Sequence, residues 1–376
     1  MKALLLSAYD AQSHRCWRTN LKAMFPDIDW TELTLPARYF PWRVRGNSLT
    51  WAFNHRATLT DNYDLLLCTS MTDLSALRGF VPALGRLPTV VYFHENQFAY
   101  PDNPDPAATR TNPVEAQMLS LYTALCADRV VFNSGYNRES FLVGVSRLLK
   151  RLPDHVPPGL LQQLGTSMVL PVPLEDALFA PDPAPRNAVL TLVWNHRWEY
   201  DKGPTLLHAI VHGLVKAGCR FRLHLLGQRF RDIPPAFASI EALLRDHDTL
   251  GHRGYVESRE AYLDLLRTAD VVLSTADHDF QGLSLLEAAA LGCTPLAPAR
   301  LVYPEYLPPA CLYTGSGPLE SQADAAVRRL LQWAEDKSRG TPLPDVDVRR
   351  FSQRELLPDY RGLIADTLAS NTCLSP

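Results

Sequence analysis

Cysteine is scarce and unpatterned in this 376-residue chain: seven are scattered from Cys16 to Cys373, and no two form a C-x-x-C pair. An odd number at such spacings argues against both a disulfide scaffold and a zinc knuckle. Long apolar runs are also missing. No stretch approaches the roughly 20 residues that would span a bilayer, and the apolar segment after Met1-Lys2 ends at Ser7, too short for a signal-peptide core. The expectation is a cytoplasmic protein with no membrane partner. Neither G-x-x-x-x-G-K-[ST] nor G-x-G-x-x-G occurs, which excludes a P-loop NTPase and an evident dinucleotide dehydrogenase. Neither sign of charge dominates: Lys and Arg total 37 against 40 Asp and Glu, a net charge of −3, so the chain is no histone-like polycation. Glycine, at 19, is outnumbered by 30 prolines, which indicates stiffened loops rather than a function.

What is present is an ordinary globular composition, 46% hydrophobic and 20% charged, in a chain long enough for two domains of about 150 residues each. Short β-rich runs alternate with helical patterns, as in βαβ units with parallel sheets. The expected strands of the first series are Lys2–Ser7, Asp29–Leu35, Asp64–Cys68, Thr89–Phe93, Arg129–Phe132 and Ser167–Val172. Those of the second are Ala188–Trp194, Phe221–Leu226, Leu250–Val256, Asp270–Leu273 and Thr294–Ala297. Between them lie Pro171, Pro173, Pro181, Pro183 and Pro185. The reading is therefore α/β: two Rossmann-like domains facing a cleft, over residues 1–174 and 188–350, with a proline-rich linker at 175–187 and a C-terminal helix and tail at 351–376.

Ligands of open α/β sheets sit beyond the carboxyl ends of strands, and the distinctive residues cluster there. After the strand ending near Ser274 comes Asp277-His-Asp279-Phe-Gln-Gly282-Leu-Ser284-Leu-Leu-Glu287. Gly282 permits close backbone approach to a phosphate at the following helix N-terminus. Glu287 can accept hydrogen bonds from a ribose diol, and Asp279 can face a sugar hydroxyl. An equally good account is a loop with acidic helix-start residues favoured by the macrodipole. Asp277-x-Asp279 is no metal clamp: Asp27-x-Asp29, Asp246-x-Asp248 and Asp345-x-Asp347 repeat the pattern, and no metal is assigned.

After Ala188–Trp194 comes Asn195-His196-Arg197-Trp198-Glu199-Tyr200-Asp201-Lys202-Gly203, whose Arg197 and Lys202 can clamp a diphosphate. Solvated ion pairs with neighbouring acids are the competing reading. In the first half, His94-Glu95-Asn96-Gln97 sets four hydrogen-bonding side chains at the end of an apolar strand, which suits a polar cleft. Finally, no acid lies between Glu32 and Asp61, where Arg38, Arg43, Arg45 and Arg56 interleave with Tyr39, Phe40, Trp42, Trp51 and Phe53. Such interleaving suits RNA phosphates and bases, or arginine stems covering packed aromatics.

Taken together, Arg197, Lys202, Asp279 and Glu287 resemble the donor site of GT-B, family-4-like retaining glycosyltransferases, in which Glu-x7-Glu is usual and the first position here is the shorter Asp279. More specifically, HENQFAYP (94–101), ALCADRVVFNSGYNRESF (124–141), WNHRWEYDKGP (194–204), LGQRF (226–230), LEAAALGCTPLAPARLVYPE (286–305) and the patch Trp42-Arg43-Val44-Arg45-Gly46 resemble the tRNA-queuosine mannosyltransferase family over most of residues 1–310. The family's Gly-Gly-Ser-His loop reads Ala11-Gln12-Ser13-His14 here.

The resemblance implies transfer of mannose from GDP-mannose to queuosine in a tRNA anticodon, with retention, no cofactor and no essential metal. It implies catalytic roles for His94, Asp279, Arg197 and Lys202. Donor contacts would come from Ser13, Asn195, Arg197, Lys202, Gly227, Gly282, Leu283, Ser284 and Glu287, and acceptor contacts from Trp42, Arg43, Arg45, Glu95, Asn96 and Gln97. Two other functions remain open at this point: a GT-B enzyme acting on a lipid, glycan or small molecule, and a non-catalytic tRNA- or nucleotide-binding protein.

Overall fold

A computed structural model describes residues 1–100, 113–153, 156–180 and 187–372. The proline-rich linker expected at 175–187 lies in part, at 181–186, outside the described residues, as does the tail beyond 372. The described chain gathers into two compact units, one formed by 1–100, 113–175 and 351–372, the other by 176–180 and 187–350.

The first unit holds β1 (Lys2–Asp10), β2 (Asp29–Pro36), β3 (Leu65–Thr69), β4 (Thr89–Phe93), β5 (Arg129–Phe132) and β6 (Met168–Val169). They form a parallel sheet in the order β2-β1-β3-β4-β5-β6, with Leu4 paired to Thr31 on one side and to Leu66 on the other. Every residue of β3 and β4 is buried, which is why they read as unbroken apolar runs rather than alternating patterns. β1 runs on to Asp10, beyond the expected end at Ser7; there Arg18 grips the Asp10 carboxylate through Nε and Nη2, both at 3.0 Å. β6 is shorter than expected because Pro171 and Pro173 have no N–H to give to a ladder.

The second unit holds β7 (Leu190–Asn195), β8 (Phe221–Leu226), β9 (Leu250–Gly254), β10 (Val271–Leu273), β11 (Thr294–Pro298) and β12 (Leu312–Tyr313), again parallel, in the order β12-β11-β10-β7-β8-β9. β12 was not foreseen, and at two residues it is too short to show a period. Both sheets are the expected doubly wound α/β type. Their strand order reverses between β1 and β3 in one and between β7 and β10 in the other, and such switch points are where ligands bind.

Helix α1 (Gln12–Met24) follows β1, and α2 (Phe40–Asn54) follows β2. The last helix, Gln353–Thr372, packs against α1 in the first unit. The fully buried Trp17 donates its indole N–H to Tyr360 Oη at 3.1 Å, and Tyr360 Oη donates to the Pro171 carbonyl at 2.9 Å. Two backbone hydrogen bonds join Leu174 to Phe351 and Gln353, at 2.7 and 2.9 Å. Among the described residues no helix is long and apolar enough to cross a membrane.

Tyr360→Phe strands a buried indole N–H and a carbonyl with little change of volume. It should destabilise the chain by about 1–3 kcal/mol in urea unfolding; an unchanged midpoint would show that the helix is held by apolar packing alone.

Candidate functional site

In the second unit the loops after β7 and β10 are fastened together at the switch point. Trp194 at the end of β7 donates to Thr275 Oγ1 at 3.0 Å, and Thr275 Oγ1 donates to the Lys202 carbonyl at 2.7 Å. The Asp277 and His278 amides both donate to the Asp201 carbonyl, at 2.9 and 3.1 Å. Two glycines make this approach sterically feasible. Gly203 has φ 63°, and a Cβ there would lie 2.0 Å from the Thr275 carbonyl oxygen. Gly227, after β8, has φ 129°, and its Cβ would lie 1.8 Å from the His196 carbonyl oxygen.

These loops concentrate charge. The Lys202 ammonium is buried, 3.2 Å from Asp201 Oδ2, and donates to the His278 carbonyl at 2.6 Å. Arg197 is more open; it pairs with Glu199 at 2.7 Å and approaches Asp201 at 3.9 Å. Burial alone would raise the Asp201 pKa, but Lys202, His278 and Arg197 outweigh it and hold the carboxyl well below the usual range. Asp279 is governed the same way: burial raises it, while Lys202, His196, a hydrogen bond from Tyr303 and His278 together bring it below its ordinary value. Tyr303 Oη donates to Asp279 Oδ2 at 2.9 Å, and the Gly282 N–H donates to Asp279 Oδ1 at 3.1 Å, so the shorter carboxylate is fixed from both sides.

A second network reaches the helix Leu283–Ala290, which starts after Gly282 in the left-handed conformation at φ 74°. Glu287 is buried and accepts from Arg259 at 2.7 Å and from Tyr262 Oη at 3.5 Å. Asn195 donates to Tyr262 Oη at 3.0 Å and to the Ser284 carbonyl at 2.9 Å, while its Oδ1 is buried with no partner. His196 Nε2 is likewise buried and unpartnered, and its Nδ1 lies 3.5 Å from Ser284 Oγ. Burial, assisted by Lys202, pushes the His196 imidazole down to about 4, so it is neutral at pH 7. Unsatisfied buried polar atoms beside helix-start amides are what a polar ligand would complete. Leu283 is half-buried on the same turn. Thus Asn195, Lys202, Asp279, Gly282, Ser284 and Glu287 come together in one set of loops, with Arg197 paired to acids at the entry to the same loop.

The first unit has its own cluster at the β1/β3 switch point. Glu95, after β4, meets His14 Nε2 at 2.9 Å and accepts from Ser70 Oγ at 3.0 Å. His14, on the first turn of α1, stacks on His94 with ring centroids 4.1 Å apart. Both His94 nitrogens and His14 Nδ1 are buried and unpartnered, and burial together with His14 holds the His94 imidazole well below its ordinary pKa. Ser13 is half-buried beside them in sequence. Asn96 takes a different place from the acceptor-facing one expected. It is fully buried, its amide nitrogen donates to Asn137 and Ser140, and its carbonyl accepts from the Phe98 and Ala99 amides, so it anchors the turn. Gln97 is half-buried, with Nε2 3.7 Å from Met71 Sδ.

The arginine-aromatic segment divides between core and surface. Trp51 is fully buried and Phe40 packs edge-on against Tyr9, whereas Tyr39, Trp42 and Phe53 are exposed. Arg43 is half-buried; Arg45 is engaged by Asp73 at 3.1 Å and Glu115 at 3.6 Å, a pairing sequence spacing did not reveal. His14, Asp201, Arg259, Tyr262 and Tyr303 were not among the expected site residues. Three of them stand in strings already singled out, and only Arg259 and Tyr262, three apart on one helix, had no local signal.

Comparison with known proteins bears on this geometry. A sequence-family model described as tRNA-queuosine alpha-mannosyltransferase N-terminal matches residues 2–174. A tRNA-queuosine alpha-mannosyltransferase of Drosophila melanogaster is 33% identical over 352 residues, spanning 89% of each chain. Among solved structures, sucrose-phosphate synthase from Thermosynechococcus elongatus superposes with a TM-score of 0.66 at 13% identity, covering 98% of this chain and 100% of the other. A UDP-forming trehalose-phosphate synthase from Burkholderia xenovorans gives 0.63 at 15% identity, with 98% and 99% covered. These structures are glycosyltransferases of the GT-B fold, and the likeness supports the fold expected from sequence.

The His196 shift sets a pH window for stability. Its folded pKa of about 4 lies below the ordinary 6.5, so between these values the unfolded chain binds a proton that the folded chain does not. Stability should therefore fall as pH is lowered from about 6.5 toward 4. His196→Gln should show a shallower decline in urea midpoints across this range, and an equal decline in both proteins would exclude His196 as a source.

Proposed function

The chain belongs to the tRNA-queuosine alpha-mannosyltransferase family, and from that membership we propose that it transfers mannose from GDP-mannose to the queuosine nucleoside of a tRNA, with retention and without an essential metal. The observation that carries the reading is the 33% identity sustained over 89% of both chains. The arrangement at the β7/β10 switch point supplies groups suited to the chemistry.

In this reading Arg197 and Lys202 neutralise the departing diphosphate, Arg197 by its planar fork and Lys202 as a compact buried charge. The charge on the leaving group is met by these cations, which is why no metal is invoked. To bind, the diphosphate competes with Glu199 for Arg197 and with Asp201 for Lys202. Glu287, already oriented by Arg259 and Tyr262, receives the ribose diol. Asn195 Oδ1 and the amides after Gly282, including those of Leu283 and Ser284, offer further polar contacts, and Gly227 keeps the neighbouring loop close. Asp279, ionised and fixed by Tyr303, faces the hexose, and the family resemblance gives His94 a sugar contact as well. Ser13 is assigned a donor contact by the family resemblance. Glu95, Gln97, Trp42, Arg43 and Arg45 serve the acceptor, while Asn96 acts by shaping the turn that presents Glu95. Rate enhancement comes from orientation and from stabilising charge on the leaving group.

The decisive experiment incubates the protein with GDP-mannose and tRNA that carries or lacks queuosine, then digests the RNA and weighs the nucleosides. A hexose on queuosine alone is expected. Transfer to a lipid or glycan with none to tRNA would overturn the reading, and UDP-sugars in place of GDP-mannose test the donor. Arg197→Ala and Glu287→Ala should each lower transfer by about 100-fold or more with unchanged circular dichroism.

A further inference from the structure

The first turns of α2 carry two features that folding alone does not explain. Tyr39, the residue that starts the helix, has φ 56° and ψ 53°, a left-handed conformation that is uncommon for a residue with a bulky side chain. Its ring recovers little by burial, since Tyr39 is 72% exposed. Two turns on, a glycine occupies the helix interior, where only proline is a poorer helix former. That glycine, Gly46, is buried beneath Trp42: a Cβ built on it would lie 2.4 Å from the indole Cε2. The missing side chain lets the indole lie against the helix backbone, while the residue remains 54% exposed. Strained backbone that supports an exposed aromatic is characteristic of functional surface.

The electrostatic surroundings select the partner. No acid lies between Glu32 and Asp61, and the Arg38 guanidinium sits 5.8 Å from the centre of the Tyr39 ring. Exposed rings among cations suit unpaired nucleobases, each of which has a π-face to stack while its phosphate meets arginine.

We propose that Tyr39 and Trp42 form a stacking platform for unpaired bases of the tRNA acceptor, with Gly46 as the positioning residue that seats the Trp42 ring. This rests on the tRNA reading given above and extends it to a residue, Tyr39, and a device, the glycine seat, that assign a binding mode. Because the contact is with base faces, it discriminates looped from duplex RNA rather than one sequence from another.

The test measures binding of the full chain, by fluorescence anisotropy, to an unmodified anticodon stem-loop transcript and to a duplex RNA of equal length. Trp42→Ala and Gly46→Ala should each weaken stem-loop binding by about ten- to a hundredfold, the range that loss of one stacked base gives, and leave duplex binding unchanged. Tyr39→Gly is the discriminating variant. Glycine accepts the left-handed conformation, so its Tm should rise above that of the natural chain while stem-loop affinity falls. Variants that bind the stem-loop as the natural chain does would overturn the platform, as would equal losses on loop and duplex. If the natural chain transfers hexose to queuosine tRNA in that case, the enzymatic reading stands alone. A natural chain that neither binds nor modifies tRNA would overturn both.

Discussion

A buried ammonium cannot be left without an answering charge, and the second unit is organised around that requirement. Lys202 sits on a short turn where Asp201 supplies the counter-charge and the His278 carbonyl accepts a hydrogen bond. The arrangement needs the loops after β7 and β10 to approach within contact of one another, so Gly203 is where no side chain fits. The same cation helps to keep Asp279 ionised and His196 neutral. This ion thus adds to the effect of burial and of neighbouring groups on both protonation states, and the site is electrostatically prepared before any ligand arrives.

The first unit solves a related problem with stacked rings. His14 and His94 stack against each other, and only the Nε2 edge of His14 meets a carboxylate, Glu95, itself steadied by Ser70. Burial disfavours charge on His94, so its ring offers hydrogen-bonding edges rather than a cation. The two units therefore present different chemistry at the switch points of two doubly wound sheets whose strand orders differ. Paired cations and carboxylates are concentrated at the β7/β10 switch point, and stacked imidazoles beside a single carboxylate at the β1/β3 switch point.

Much of this was legible in the amino-acid order because buried parallel strands are unbroken apolar runs and because ligand residues must follow them. Asp279 and Glu287 could be placed around a helix start by Gly282 alone. The misplaced features share a cause. His14 and Glu95 are 81 positions apart, and Arg45 and Asp73 are 28 apart, so their pairing depends on strand order rather than spacing. Asn96 looked like its neighbours because a polar run does not reveal which member turns inward. Strand ends shifted where a local constraint outweighed the pattern, at Asp10 through Arg18 and at β6 through its prolines. The interleaved arginines and aromatics similarly held two populations, Trp51 for the core and Tyr39, Trp42 and Phe53 for the surface, which burial alone distinguishes.

The last helix has a consequence for the order in which the chain can mature. Trp17 is completed by Tyr360, 343 positions later, and Leu174 by residues from 351 onward. During synthesis the amino-terminal sheet emerges first, yet one of its covering helices is made only after the second unit. The second unit, encoded in between and closed on itself, has all its described strands before that helix exists. The nascent chain is thus obliged to carry an unfinished amino-terminal half past a finished middle, against the usual order in which domains mature as they are translated.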